Sequence, residues 1–308
     1  MGFLLAVQGA ASQGVLWGIM TLGLFITFKI LDFADMTVDG SFALGGSVSA
    51  VLITVGLNPY VSLAASFAAG ALAGLVTGFL HTKLRIPGIL AGILTMIALY
   101  SINIRIMGQA NTPLLGEPTM LDITTQLGLS KTIDSLLIGI VFSAVIVALM
   151  YWFFGTELGS AIRATGNNER MVRALGVDTN NMKNIALMLS NALVALSGAM
   201  VAQSQGYADV GMGTGTIVIG LASIIIGEVV FGKRFSFWYR LMSVVFGSVI
   251  YRIIIAVVLQ LGMKSTDLKL LTAVIVAVAL ALPVVRGDIT KRGNRLRNRA
   301  ALSEGGQR

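Results

Sequence analysis

The sequence predicts an all-α membrane protein, a polytopic helical bundle of about nine transmembrane spans (eight to ten). Three observations carry this. Of 308 residues, 56% are hydrophobic and only 12% are charged, whereas soluble domains carry roughly a quarter charged residues. Apolar stretches long enough to cross a hydrocarbon core, about 20 residues each, recur along the whole chain. The 36 glycines and many alanines suit the close helix approach that packing in lipid relies on. These runs cannot form a buried soluble core, because too little polar sequence remains to cover them.

The candidate spans are 12–30, 38–56, 60–80, 88–107, 133–154, 184–203, 214–232, 239–261 and 268–286. No basic residue precedes Lys29, so the first reads as a retained span and not as a signal peptide. The second and seventh hold polar and glycine residues and are expected to be broken or re-entrant. The longest outer loop, 108–132, contains the helix breakers Pro113 and Pro118, with Glu117, Asp122 and a short apolar stretch near 121–129. It either meets an extracytoplasmic partner or is a passive connector. Residues 1–285 form one membrane domain, and 286–308 a basic tail suited to anionic headgroups.

Orientation follows from the cations. With segment 156–183 placed inside, most of the 22 lysines and arginines fall on inner loops and the tail. Only Arg105, Lys131, Arg252, Lys264 and Lys269 fall outside or within the membrane. The positive-inside rule is met, with the N-terminus outside and the C-terminus cytoplasmic. The net charge of +8 is therefore a matter of topology and not of nucleic acid. No cysteine is present, which excludes disulfides, a thiol nucleophile and thiolate-bound metal. The single histidine, His81, sits in a basic inner loop, where a surface role is expected.

Several polar residues interrupt the apolar spans. Asp32, Asp35 and Asp39 stand at the mouth of the second span, with Ser41 just beyond. They either cap helix starts or face a polar pathway opened by a broken helix; the pathway reading is favoured for Asp39 and Ser41. Asn191 lies mid-membrane, followed by Gln203, Gln205 and Asp209. It either lines the path or bonds between helices. Glu228, near one membrane face, either gates or pairs. Arg252 lies well within a span, where an arginine must face a partner or water; it meets a solute carboxylate or an acidic side chain. Gly70, Gly74 and Gly78 form a small-residue ridge, either a dimer contact or packing within one subunit. Gly227 to Lys233 imitates a phosphate loop but continues with Arg234 where Ser or Thr should hold magnesium. ATP binding by this chain is rejected.

Segment 156–183 is the most charged internal stretch, holding Glu157, Arg163, Glu169, Arg170, Arg173, Asp178 and Lys183. Its apolar residues Leu158 and Ile162, then Met171, Val172, Leu175 and Val177, predict two short amphipathic helices. Gly166-Asn167-Asn168 separates them, and Gly176 ends the second as a C-cap glycine would. A short helix with a polar start and an apolar-plus-arginine face suits docking onto another protein.

Gly159-Ser-Ala-Ile-Arg-Ala164, Glu169 to Leu175 and Gly176-Val177 together resemble the cytoplasmic coupling loop of ABC-importer permeases of the branched-chain amino acid and ribose type. Thr37-Val-Asp-Gly-Ser-Phe42 resembles one subgroup of that family, often paired with binding proteins for tryptophan or tyrosine. The resemblance runs from about Lys29 to Pro283. It implies a permease subunit in the bacterial inner membrane that does no covalent chemistry and holds no cofactor. Its partners would be cytoplasmic ABC ATPase subunits, an extracytoplasmic substrate-binding protein, and a second permease copy, identical or paralogous, within the lipid bilayer. Arg163, Glu169, Arg170, Met171, Val172, Arg173, Leu175 and Gly176 would couple to the ATPase. Asp39, Ser41, Asn191, Glu228 and Arg252 would serve the path. The solute expected is an amino acid, with an aromatic one among the candidates. The rival reading is an ion-driven secondary transporter, which also uses interrupted helices and buried carboxylates but has no need of a structured docking loop.

Overall fold

A computed structural model describes residues 2–122, 131–232, 236–263, 267, 270–274, 276–278 and 281. Its long helices are α1 (Gly2–Phe25), α2 (Thr37–Thr54), α3 (Pro59–Thr82), α4 (Gly88–Met107), α5 (Lys131–Gly155), α8 (Thr179–Gln205), α9 (Thr216–Phe231) and α10 (Phe237–Gln260). Among the described residues, eight helices are long and apolar enough to cross a membrane. The ninth expected span, 268–286, lies mostly outside the described residues, as do the basic tail and most of stretch 121–129. Two short helices, α6 (Glu157–Asn167) and α7 (Glu169–Ala174), project between α5 and α8. They form where the amphipathic spacing predicts them, but α6 continues through Gly166 and Asn167, so that Asn168 alone separates the two.

The bundle is built around α1, α2 and α8, whose side chains are mostly inside. Leu16, Ile19, Met20, Val194 and Met200 are fully buried in one continuous core. The flanking helices present Leu94, Ile97, Val141 and Leu149 outward, as a lipid-facing surface requires. With lipid as apolar as leucine, contact between these helices depends on close packing. The glycine ridge supplies it inside the subunit. A side chain added at Gly70 or Gly74 would collide with the α8 backbone at Asn191 or Leu187, and one at Gly78 with Asn184. Of the two readings of that ridge, packing within one subunit is the one realised.

Helix ends follow local chemistry. Asn58 accepts from Tyr60 N–H with Pro59 at the first helical position, and Asp178 accepts from the N–H groups of Asn180 and Asn181 at the start of α8. The second span is one unbroken helix, contrary to expectation. The interruptions lie on either side of it. The chain leaves α1 through a π-helical turn, Ile26–Ile30, and Asp32 then takes a left-handed conformation (φ 54°). The seventh span, against the same expectation, is also one continuous helix, and its irregular backbone comes before it. A 3-10 turn, Val210–Gly213, and the left-handed Gly215 precede α9. The sequence does not announce two short antiparallel strands, Asn111–Pro113 and Tyr207–Asp209. They tie the long loop to the α9 entry. Gln203 strengthens that tie, accepting from Met120 N–H (2.9 Å) and donating to Ser49 (2.9 Å) and Ser62 (3.1 Å).

Candidate functional site

Helices α6 and α7 are each started by a side-chain cap, from Thr156 to Gly159 N–H and from Asn168 to Met171 N–H. Each buries a single apolar anchor or two. Ile162 and Val172 turn inward, at 0% and 2% exposure, whereas Met171 (52%) and Leu175 (74%) stand out. Met171 and Leu175 thus form an exposed apolar pair beside the exposed Arg170 on one helical turn. Behind it sits a clamp. Glu169 Oε1 accepts from Arg173 Nη2 (2.6 Å) and Thr179 Oγ1 (3.2 Å), and Oε2 accepts from Lys183 Nζ (2.8 Å). Arg173 also donates to Thr179 Oγ1 (2.9 Å). The bond from Lys183 holds the Glu169 carboxyl below its ordinary range, against a smaller opposing effect of partial burial. Glu169 thus fastens α7 to the first turns of α8, a membrane-crossing helix. Gly176 exits α7 with φ +86°, a conformation other residues adopt only with strain. Arg163 faces elsewhere, over the Phe237 ring at 5.6 Å, with a bond to Ser160 Oγ (3.2 Å).

The expected path residues divide into groups. Asp39 begins α2 but caps a different helix. Its oxygens accept from Gly215 N–H (3.0 Å), Ile217 N–H (3.1 Å) and Thr216 Oγ1 (2.7 Å) at the start of α9. A carboxylate at a helix N-terminus answers both the unpaired N–H groups and the positive end of the helix dipole. Ser41 and Asn191 are fully buried and bonded together, Ser41 Oγ donating to Asn191 Oδ1 (2.7 Å). Asn191 Nδ2 donates to Asp35 Oδ2 (2.7 Å), and Asp35 Oδ1 accepts from Thr37 N–H (2.9 Å). These three side chains join α2 to α8, which is the interhelical alternative for Asn191 and the capping alternative for Asp35. A parallel chain of hydroxyls, Thr37 to Thr77 (2.7 Å) to Thr95 (3.0 Å), joins α2, α3 and α4.

Glu228 meets Lys29 (3.0 Å), an ion pair between α9 and the end of α1. The pair lies on a cavity of 690 Å³ that also touches Asp32 and Asn167, at the end of the bundle carrying α6 and α7. Arg252 has no carboxylate within ion-pair distance among the described residues. Its guanidinium lies over the Trp17 ring at 3.8 Å, and its Nε is buried without a hydrogen bond. His81 is a local brace, Nδ1 against Ile86 O (2.9 Å) and its ring beside Phe33.

Sequence reading passed over Lys29, counted only as a topology determinant, and Trp17. It also passed over Ser101 and Asn103, polar residues in the fourth apolar run, where Arg105 counted only towards topology. That interruption was the available signal.

Residues 6–280 match the family described as branched-chain amino acid transport system / permease component. A tyrosine transport system permease protein of Clostridioides difficile is 42% identical over 270 residues, 88% of each chain. The ribose import permease protein RbsC of Escherichia coli is 28% identical over 57% of this chain and 54% of its own. Among solved structures, a metal-chelate type ABC transporter in an inward-facing conformation aligns over 91% of this chain and 85% of its own. That alignment has a TM-score of 0.48 and 14% identity.

Proposed function

The chain belongs to the permease family of branched-chain amino acid transport systems, and from that premise we propose that it is the membrane subunit of an ATP-driven importer for an amino acid. Tyrosine is the first candidate, since a 42% identical relative is named for its transport. Two permease copies would enclose the path, an extracytoplasmic binding protein would deliver the solute, and ATPase subunits would dock on α7 at the cytoplasmic side of the inner membrane. ATP hydrolysis belongs to those subunits.

The observation that carries the coupling role is the pairing of an exposed apolar turn with a rigid root. Met171 and Leu175 offer the docking surface. Glu169, Arg173, Thr179 and Lys183 tie that turn to α8. A push on α7 is therefore delivered to a helix that packs through the bundle centre, close to the Asp35–Asn191–Ser41 bonds. Arg170 would add charge at the docking face, and Arg163 would brace α6 against α10. Lys29 and Glu228 would close the cytoplasmic mouth of the path, with Asp39 setting the position of α9 and Arg252 held ready by Trp17 for a solute carboxylate.

The test is co-purification of tagged protein from its host's membranes in detergent. The expected result is an ATPase chain with the wild type, lost in a Met171→Asp, Leu175→Asp variant that still folds. An ATPase retained by that variant would remove the docking role from α7. A permease that arrives alone and moves solute under an ion gradient would establish the secondary transporter instead.

A further inference from the structure

A cavity of 470 Å³ opens where α5 ends and α10 begins, at the end of the bundle that carries α6 and α7. Tyr151, Trp152, Thr156, Arg163, Ser236 and Phe237 line it. Its rim is aromatic. Trp152 is 70% exposed, and the exposed Tyr151 meets the exposed Trp238 edge to face, with ring centroids 6.1 Å apart. Tryptophan and tyrosine gather where a bilayer passes from acyl chains to headgroups. Val145 and Leu149 precede Trp152 by two helical turns and one, share its face of α5 and are exposed. An acyl chain thus has apolar surface to lie on just beyond the rim. The wall of the cavity is basic. Among the described residues the Arg163 guanidinium meets no carboxylate, and its Nε is buried without a hydrogen bond. It is held by one bond to Ser160 Oγ (3.2 Å) and by the Phe237 ring. No acidic side chain among the described residues lines the cavity. Ser236, at the start of α10, makes no side-chain cap bond.

We propose that this cavity holds the headgroup of an anionic phospholipid, with Arg163 on its phosphodiester and an acyl chain along Leu149 and Val145. A guanidinium suits a phosphate because its planar fork donates two parallel bonds to two oxygens. The Ser236 hydroxyl is free to donate to a third. Charge selects the lipid. A zwitterionic headgroup brings a cation of its own, and the cavity has no carboxylate to answer it. An anionic headgroup brings the counter-charge that Arg163 lacks. A protein partner is better served on α7, where Arg170, Met171 and Leu175 stand exposed; Arg163 is turned away from that surface, towards α10. The lipid would tie α6 to the bilayer surface and to the entry of α10, a fastening separate from the Glu169 clamp on α7. The site needs only a membrane around the bundle, so it stands or falls apart from the importer reading.

The test is native mass spectrometry of the purified full chain in detergent, with phosphatidylglycerol and phosphatidylcholine of matched acyl chains added together in equal amounts. The wild type is expected to retain phosphatidylglycerol about fivefold over phosphatidylcholine, the preference one basic residue gives at an anionic surface. Arg163→Gln is expected to abolish that preference and Arg163→Lys to keep part of it. Arg85→Gln, which alters an exposed arginine at the same end of the bundle, is expected to leave it unchanged. Equal retention of the two lipids by the wild type, or a preference that survives Arg163→Gln, would overturn the site. A second measurement needs no substitution. Trp152 and Trp238 stand exposed at the rim, so brominated-chain phosphatidylglycerol is expected to quench the wild-type tryptophan fluorescence more than brominated-chain phosphatidylcholine at the same mole fraction of a mixed bilayer. Equal quenching would contradict the proposal. Glycerol phosphate in large excess is expected to leave the bound phosphatidylglycerol in place; its displacement would make the ligand a free phosphate ester and not a lipid.

Discussion

Two carboxylates, Glu169 and Asp39, each hold one helix in place, and they do so by different means. Glu169 sits at the water-facing end of the molecule and is answered by cations, Arg173 at 2.6 Å and Lys183 at 2.8 Å. Asp39 sits among membrane-crossing helices and is answered by backbone N–H groups and a hydroxyl at the start of α9. Water screens and solvates charged partners, so at this end a helix can be held by ion pairs between side chains. Within lipid a second full charge would need its own partners, and a helix N-terminus supplies compensation without one. The short helix α7 is thus held by ion pairs, and the entry to α9 by a carboxylate set against backbone N–H groups.

The largest expected effect breaks the membrane half of that contrast. Asp39→Ala strands two N–H groups and is expected to cost about 3 kcal/mol, read as a lower thermal midpoint of the purified protein. Asp39→Asn, which keeps the acceptor oxygen but loses the charge, is expected to recover part of that loss. Full recovery by Asn would show that charge has no part in the cap. Next comes Asn191→Leu, which removes the bond to Ser41 and leaves the buried Asp35 carboxyl short of a donor. A loss of about 2 kcal/mol is expected, again by thermal unfolding, and an unchanged midpoint would contradict the network.

At the coupling end the expected pattern reverses, with function more sensitive than stability. Gly176→Val forces a β-branched residue into a left-handed conformation at a local cost of about 1–2 kcal/mol. The measurement is ATP-driven uptake beside thermal midpoint, and uptake is expected to fall by much more. The smallest effect is Glu169→Gln, worth less than about 1 kcal/mol because the clamp is partly solvated. Its pH dependence has a definite sign. The folded Glu169 binds its proton more weakly than the unfolded one, so its contribution is complete above the unfolded value of about 4.3. It is lost as pH falls through the lower folded value. The wild-type advantage over Glu169→Gln should be flat near neutrality and shrink in acid, measured as the difference in unfolding midpoint across a pH series.

Which parts were legible beforehand follows from range. The helices were readable because an apolar run of span length has few alternatives to a transmembrane helix. Helices α6 and α7 were readable because spacing, cap residues and Gly176 are all local. The partners of Asp39 were not readable, since Gly215, Thr216 and Ile217 lie far along the chain and the capped helix is not its own. The same distance hid the Lys29–Glu228 pair. The β pairing of Asn111–Pro113 with Tyr207–Asp209 was invisible because strands of three residues carry no alternation to detect. Asn103 was visible as a polar residue in an apolar run. Its unanswered oxygen emerges only once Gly40 is seen to take its other end.

The central claim is that this chain moves its solute only when an ATPase pushes on α7. Its most direct test is uptake of labelled tyrosine into liposomes carrying the permease, with and without its ATPase, with the binding protein on the side that receives tyrosine and ATP on the other. The account predicts uptake with the ATPase and ATP, and its loss with Met171→Asp, Leu175→Asp. Uptake under a proton or sodium gradient with the permease alone would contradict it.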